Sequence, residues 1–138
     1  MARRTSARSG RAVLRVFIAD DSLGFGTLAA AWLEAYDDLE VVGTARSAPE
    51  AIAALTEAAP DVVVLDRLLP QPEHSGEILA HVRAHLPAAA VLLVSGMPDE
   101  ELAGEARTAG ADGHVSKAAN ADALALAVRR AAAARRAG

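Results

Sequence analysis

Cysteine is absent from this chain of 138 residues. That excludes disulfides, thiolate nucleophiles and cysteine-based metal sites. Aromatic residues make up only 3%, while Ala, Val and Leu dominate a hydrophobic share of 52%, so the core must be aliphatic. No segment approaches the roughly 20 apolar residues a membrane-spanning helix needs. The apolar stretch 12–19 contains Arg15 and leads into Asp20-Asp21, not into the small-residue cleavage site of a signal peptide. The expectation is a cytoplasmic protein with no membrane partner. Lysine is also nearly missing: Lys117 stands alone among fourteen lysines and arginines.

Acid is missing from one region. The first fifteen residues carry Arg3, Arg4, Arg8, Arg11 and Arg15, a charge of +5 within a net −4, which leaves −9 for the remainder. A short basic arm can touch anionic surfaces, but the plainer reading is a disordered Ser/Arg-rich leader over residues 1–11. Residues 12–138 then form one domain, a size that buries about two thirds of the unfolded surface.

Within that domain, short apolar runs alternate with amphipathic stretches. Val13–Ala19, Val41–Ala45, Val62–Leu65, Ala90–Val94 and Gly113–Ser116 read as strands. Helices are expected near 25–36, 49–58, 76–86, 99–109 and 121–136, with Pro49 opening the second after Ser47. Pro60, Pro87 and Gly110 close the second, third and fourth. Five strand–helix units predict an α/β fold with a parallel sheet covered on both faces. The common doubly wound order is 2-1-3-4-5, with ligands beyond the carboxyl ends of strands 1 and 3.

The residues at those carboxyl ends carry the chemistry. Strand 1 ends in Asp20-Asp21, strand 3 in Asp66, strand 4 in Ser95 and strand 5 in Lys117. Three carboxylates converging at the switch point repel by roughly 1–4 kcal/mol per close pair, so they must raise a pKa or bind a cation. An all-oxygen set selects a hard ion, most naturally Mg²⁺. Lys117 can reach a carboxylate or a phosphate as a compact point charge. Carboxylate, hydroxyl, ammonium and Mg²⁺ together suit phosphoryl transfer. Asp66, alone on its strand, is the best nucleophile; Asp20 and Asp21 suit metal ligation, and Ser95 can donate to a phosphoryl oxygen.

These residues resemble the receiver domain of two-component response regulators. Asp20-Asp21, "VVVLDRLLP", "VLLVSG" and "GADGHVSK" fall in family order from about Leu14 to Ala134, and "PDVVVLD" and "AGADG" look most like receivers of NarL-type regulators. The resemblance implies a flavodoxin-like (βα)5 fold that takes a phosphoryl group on Asp66, as an aspartyl phosphate, from a histidine kinase or histidine phosphotransfer protein. It implies Mg²⁺ at Asp20, Asp21, Asp66 and the Leu68 backbone carbonyl. It also implies output to a protein target through the face of helix 99–109, strand Gly113–Ser116 and helix 121–136, with a homodimer as a further expectation and no direct DNA binding. Ser95 and His114 occupy the switch positions. The sequence departs from the pattern in four places. The loop "RLLPQPEHSG" is about two residues longer and carries Pro72; His114 replaces an aromatic switch residue; Ala118 replaces the usual Pro after the lysine; and no output domain follows. A lone relay or adaptor, the receiver half of a longer helix-turn-helix DNA-binding regulator, and a phosphorylation-independent interaction module are the readings this leaves.

Other chemistries compete. His81 and His85 have i,i+4 spacing suited to zinc, with His74 as the sole speculative third ligand. Arg67, next to the nucleophile, can bias phosphoryl access. Trp32 and Tyr36 are expected to pack locally. A haloacid-dehalogenase-like phosphatase requires a second acid two residues past the nucleophile, where Leu68 stands. Gly24 and Gly26, with Arg46, spell part of a dinucleotide-binding pattern, but Gly24 comes too late after the strand for its tight turn.

Overall fold

The computed structural model describes residues 12–22 and 24–138; the basic leader at 1–11 lies outside the described residues. Ten elements alternate along the chain: β1 (Leu14–Ala19), α1 (Phe25–Glu34), β2 (Leu39–Ala45), α2 (Ala48–Ala58), β3 (Val62–Asp66), α3 (Pro72–His85), β4 (Ala90–Ser95), α4 (Asp99–Ala109), β5 (Gly113–Ser116) and α5 (Ala121–Ala137). The five strands pair in parallel in the order β2-β1-β3-β4-β5. The expected doubly wound sheet is therefore present.

Two aliphatic layers hold it together. Strand side chains alternate between faces: Phe17, Val63, Leu65, Val91 and Leu93 join one cluster with α2, α3 and α4. Val16, Ile18, Val62, Val64, Leu92 and Val94 join the other with α1 and α5. β3 and β4 are buried along their whole length, as interior strands of a sheet covered on both sides must be. Trp32 and Tyr36 pack against the second cluster as expected, and the Tyr36 hydroxyl also donates to Asp122 of α5.

Several boundaries differ from expectation. β2 begins at Leu39, two residues early, because Leu39 is fully buried and pairs with Leu14. α3 begins at Pro72, not 76. Pro72 occupies a first-turn position, where its missing N–H costs no hydrogen bond. It therefore opens a helix instead of lengthening the loop rim, leaving residues 67–71 as the connection. α2 starts at Ala48 with Pro49 just inside; Ser47 caps it by accepting from the Glu50 amide at 3.2 Å. Gly110 closes α4 at φ 77°, in the left-handed region glycine favours.

One close approach sets a stability prediction. The register between β1 and β2 slips between Val16 and Phe17, placing Phe17 opposite Gly43. A Cβ at residue 43 would lie 2.8 Å from the buried Phe17 ring. Gly43→Ala is expected to lower stability by about 1–3 kcal/mol through overpacking, read from urea unfolding. A loss below about 0.5 kcal/mol would mean the ring yields freely.

Candidate functional site

The parallel sheet puts every strand's carboxyl end on one edge, and β1 and β3 are neighbours there. Oxygens of Asp20, Asp21 and Asp66 lie within 4.8 Å of one another, the one such grouping of potential metal ligands among the described residues. Asp20 and Asp66 are almost wholly buried, at 3% and 5% exposure. The Lys117 ammonium stands between them, 2.8 Å from Asp20 Oδ2 and 3.3 Å from Asp66 Oδ2. Its backbone is fixed by donation from the Lys117 amide to the Ser95 carbonyl at 2.9 Å.

Each carboxylate has a distinct surrounding. Asp20 Oδ1 accepts from the Ser22 amide at 2.7 Å and from the Ser22 hydroxyl. Asp20 Oδ2 is buried with no aligned hydrogen-bond donor, only the ammonium charge nearby. Asp66 Oδ1 accepts from the Leu68 amide at 3.2 Å, and the Asp66 carbonyl accepts from the Ser75 hydroxyl at 2.5 Å. Ser95 is buried, and its oxygen accepts from the Met97 amide at 3.1 Å, which leaves the hydroxyl proton free to donate elsewhere.

The electrostatics follow from burial. Loss of hydration, with Asp20's charge added, pushes the Asp66 carboxyl up from 3.8 to about 6; Lys117 and the Leu68 amide pull the other way. Burial disfavours the Lys117 ammonium, but the close contact with Asp20 and the charges of Asp66 and Asp20 outweigh it and hold its pKa above the ordinary value. The cluster thus holds more negative charge than one lysine neutralises. A hard divalent cation fits it: the donors are all oxygens, and three carboxylates lie within 4.8 Å of one another around a single ammonium.

The sequence-derived candidates are thus brought together at one edge, with His114 set apart. His114 is partly exposed on β5, with Nε2 3.4 Å from Asp99 Oδ1 at the start of α4. The Leu68 amide turns to Asp66 and donates to its Oδ1. Ala118 donates its amide to the Ser116 hydroxyl at 3.0 Å, and among the described residues a cis peptide lies at Leu69–Pro70. His81 and His85 stack with centroids 4.5 Å apart, and His81 contacts Thr56, but no third ligand joins them among the described residues. Gly24, Gly26 and Arg46 do line one recess, of about 130 Å³ with Asp20 in its wall. That is well below the roughly 300–1,000 Å³ of a cofactor pocket.

Three contacts were not anticipated. Ser22 bridges Asp20 and Lys117, its oxygen accepting from the ammonium at 3.1 Å; a hydroxyl directly after the acid pair was the available signal. The Phe25 ring lies under the ammonium at 5.1 Å, a cation–π contact. Ser75 ties α3 to the Asp66 backbone across nine residues. Nothing in the sequence marks either of the last two.

Comparison with known proteins gives matches over most of the chain. The family described as response regulator receiver domain matches residues 16–129. The oxygen regulatory protein NreC of Staphylococcus epidermidis is 31% identical over 116 residues, 84% of this chain and 53% of the relative. The transcriptional regulatory protein LnrK of Bacillus subtilis is 30% identical, over 84% of this chain and 52% of its own length. The chain thus spans about half the length of these curated relatives. Among solved structures, a LuxR-family two-component response regulator from Aurantimonas sp. SI85-9A1 superposes with a TM-score of 0.77 at 30% identity, covering 88% of this chain and 86% of that one. The response regulator domain of Thermotoga maritima CheB gives 0.75 at 26% identity, covering 88% and 97%.

Proposed function

The chain belongs to the response regulator receiver domain family, and from that premise we propose that it takes a phosphoryl group on Asp66 from a histidine kinase or histidine phosphotransfer protein. The observation that carries this is the Lys117 ammonium set between two buried carboxylates, Asp20 and Asp66, with Asp21 completing an oxygen cluster. A degenerate interaction module would not need to keep that arrangement.

In the reaction, an Asp66 carboxylate oxygen attacks phosphorus, the donor's P–N bond breaks, and the imidazole leaves with its electron pair. The acyl phosphate is the product. Lys117 meets the charge that gathers on the equatorial oxygens, and the free proton of Ser95 hydrogen-bonds one of them. The Leu68 amide already donates to Asp66 and helps hold the carboxylate in place. Asp20, Asp21, Asp66 and the Leu68 carbonyl are the groups that would hold Mg²⁺, which when bound supplies positive charge to the phosphoryl oxygens.

The output proposed is a change in the face formed by α4, β5 and α5, with His114 at the switch position and a homodimer as one consequence. A cytoplasmic location fits a chain in which no helix among the described residues is long and apolar enough to cross a membrane. Relatives named as transcriptional regulators favour a second reading, the receiver half of a longer DNA-binding protein. The basic residues 1–11 are then a leader ahead of the 12–138 domain.

The test is incubation with acetyl phosphate and Mg²⁺ followed by intact mass. Wild type is expected to gain one phosphoryl mass and Asp66→Ala none. No adduct in wild type, or an undiminished one in Asp66→Ala, would sink the assignment.

A further inference from the structure

An ammonium on a four-carbon stem is a flexible point charge, so the aim of Lys117 depends on the acceptors around it. Asp20 Oδ2 lies nearest, at 2.8 Å, but is not aligned as a hydrogen-bond acceptor, so it attracts the ammonium without giving it a direction. The directional bonds go to Ser22 Oγ at 3.1 Å and to Asp66 Oδ2 at 3.3 Å. Ser22 is itself held in place. Its amide donates to Asp20 Oδ1 at 2.7 Å, and its hydroxyl proton goes to the same oxygen. With that proton committed, the hydroxyl presents its lone pairs to the lysine. Gly24, at φ 101°, then turns the chain in a conformation that glycine adopts without strain, and α1 begins at Phe25, whose ring lies 5.1 Å from the ammonium. The segment after the acid pair therefore touches Lys117 twice.

We infer that Ser22 is a positioning residue for phosphoryl transfer: it aims the Lys117 ammonium at Asp66 and at the oxygens of a phosphoryl group arriving there. This rests on the reading of Asp66 as phosphoacceptor. Asp66 changes during the reaction, from carboxylate to acyl phosphate, so its hydrogen bond to Lys117 has to be remade. The Ser22 bond involves no reacting atom and stays as it is. Of the two directional bonds it is the constant one. Without it the ammonium is left with Asp20, which supplies charge but no aim. Ser22 is exposed, so water takes the place of a deleted hydroxyl in part, and the expected loss is smaller than that of removing the lysine.

Initial rates of acetyl phosphate labelling, read by intact mass at saturating Mg²⁺, test this; saturation removes any effect exerted through the hold of Asp20 on the cation. Ser22→Ala should lower the maximal rate roughly three- to tenfold, the size of one ordinary hydrogen bond. The acetyl phosphate concentration at half-maximal rate should stay within about twofold, as for an interaction made in the transition state and not in donor binding. Ser22→Thr keeps the hydroxyl and should restore the rate. In a Lys117→Met background the Ala substitution should cost nothing further, because residues that act as a unit are not additive. The aim itself can be read by NMR. Lys117 is the chain's single lysine, so lysine labelled with ¹⁵N at Nζ gives one side-chain ammonium signal. Its protons should exchange with water roughly threefold faster, or more, in Ser22→Ala. Labelling of Ser22→Ala at or above the wild-type rate, a Thr variant as slow as Ala, a full further loss in the Lys117→Met background, or unchanged ammonium exchange would overturn the positioning role alone. Absence of any adduct in wild type would overturn the phosphoacceptor reading and the positioning role with it.

Discussion

Replacing Lys117 by Met is expected to slow phosphoryl uptake at Asp66 by about 10²–10³-fold, the usual cost of removing one preorganised charge from a developing oxyanion. The ammonium touches both Asp20 and Asp66, and it is the cation in contact with the cluster. Removing it also leaves two buried carboxylates without a counter-charge. A fully buried pair broken in this way costs about 3–5 kcal/mol. With 23% of the lysine side chain exposed, water recovers part of that, and about 2 kcal/mol is the expected loss at pH 8. The loss should shrink near pH 5, where Asp66, with its pKa near 6, is largely protonated and needs the lysine less. Lys117→Arg keeps the charge but replaces a compact ammonium with a planar fork. It should recover most of the stability and only part of the rate. Initial rates of acetyl phosphate labelling and urea unfolding at both pH values check this. Equal rates for Met and Lys at position 117 would remove the lysine from the reaction.

The distinction between charge and shape explains what was legible beforehand. Asp20, Asp21, Asp66 and Ser95 announce themselves because each ends a short apolar run, Lys117 because it is the chain's single lysine and follows the strand GHVS, and a parallel sheet sends all such positions to one edge. Covering helices on both faces make β3 and β4 uniformly apolar, so their ends are sharp in the sequence. Pro72 was misread because proline marks both loops and first helical turns; only the start of α3 separates the two. The start of β2 was missed because Leu39 and Glu40 look like the tail of a helix until the pairing with β1 claims them. Contacts such as Phe25 under Lys117, Ser75 on the Asp66 carbonyl and Arg67 on Glu105 join positions 9 to 92 residues apart. Composition and periodicity carry no record of which side chains meet across that distance.

Asp66→Asn is expected to abolish the adduct and, in the presence of a chelator, to make the domain more stable at neutral pH. The sign follows from linkage. Burial and the Asp20 charge raise the Asp66 pKa to about 6, while in the unfolded chain it stays near 3.8. Between those values the folded state binds more protons than the unfolded one, so stability falls as pH rises through the window. Above pH 7 the penalty is fully present, and below pH 4 it is gone. Two pKa units correspond to nearly 3 kcal/mol, and solvent screening at the open edge reduces this to about 1–2 kcal/mol. For a domain of this size that is a rise in Tm of roughly 3–8 °C in the Asn variant at pH 7.5, vanishing toward pH 4. Lys117 keeps Asp20 as its partner, so the substitution leaves no orphaned cation. Added Mg²⁺ should raise the wild-type Tm by mass action and raise the Asn variant less, because one of three carboxylates is gone. The gap then narrows as the cation is titrated in. A gap that held constant from pH 4 to pH 7.5 would show that Asp66 carries no burial penalty, and a gap unmoved by Mg²⁺ would remove Asp66 from the ligand set.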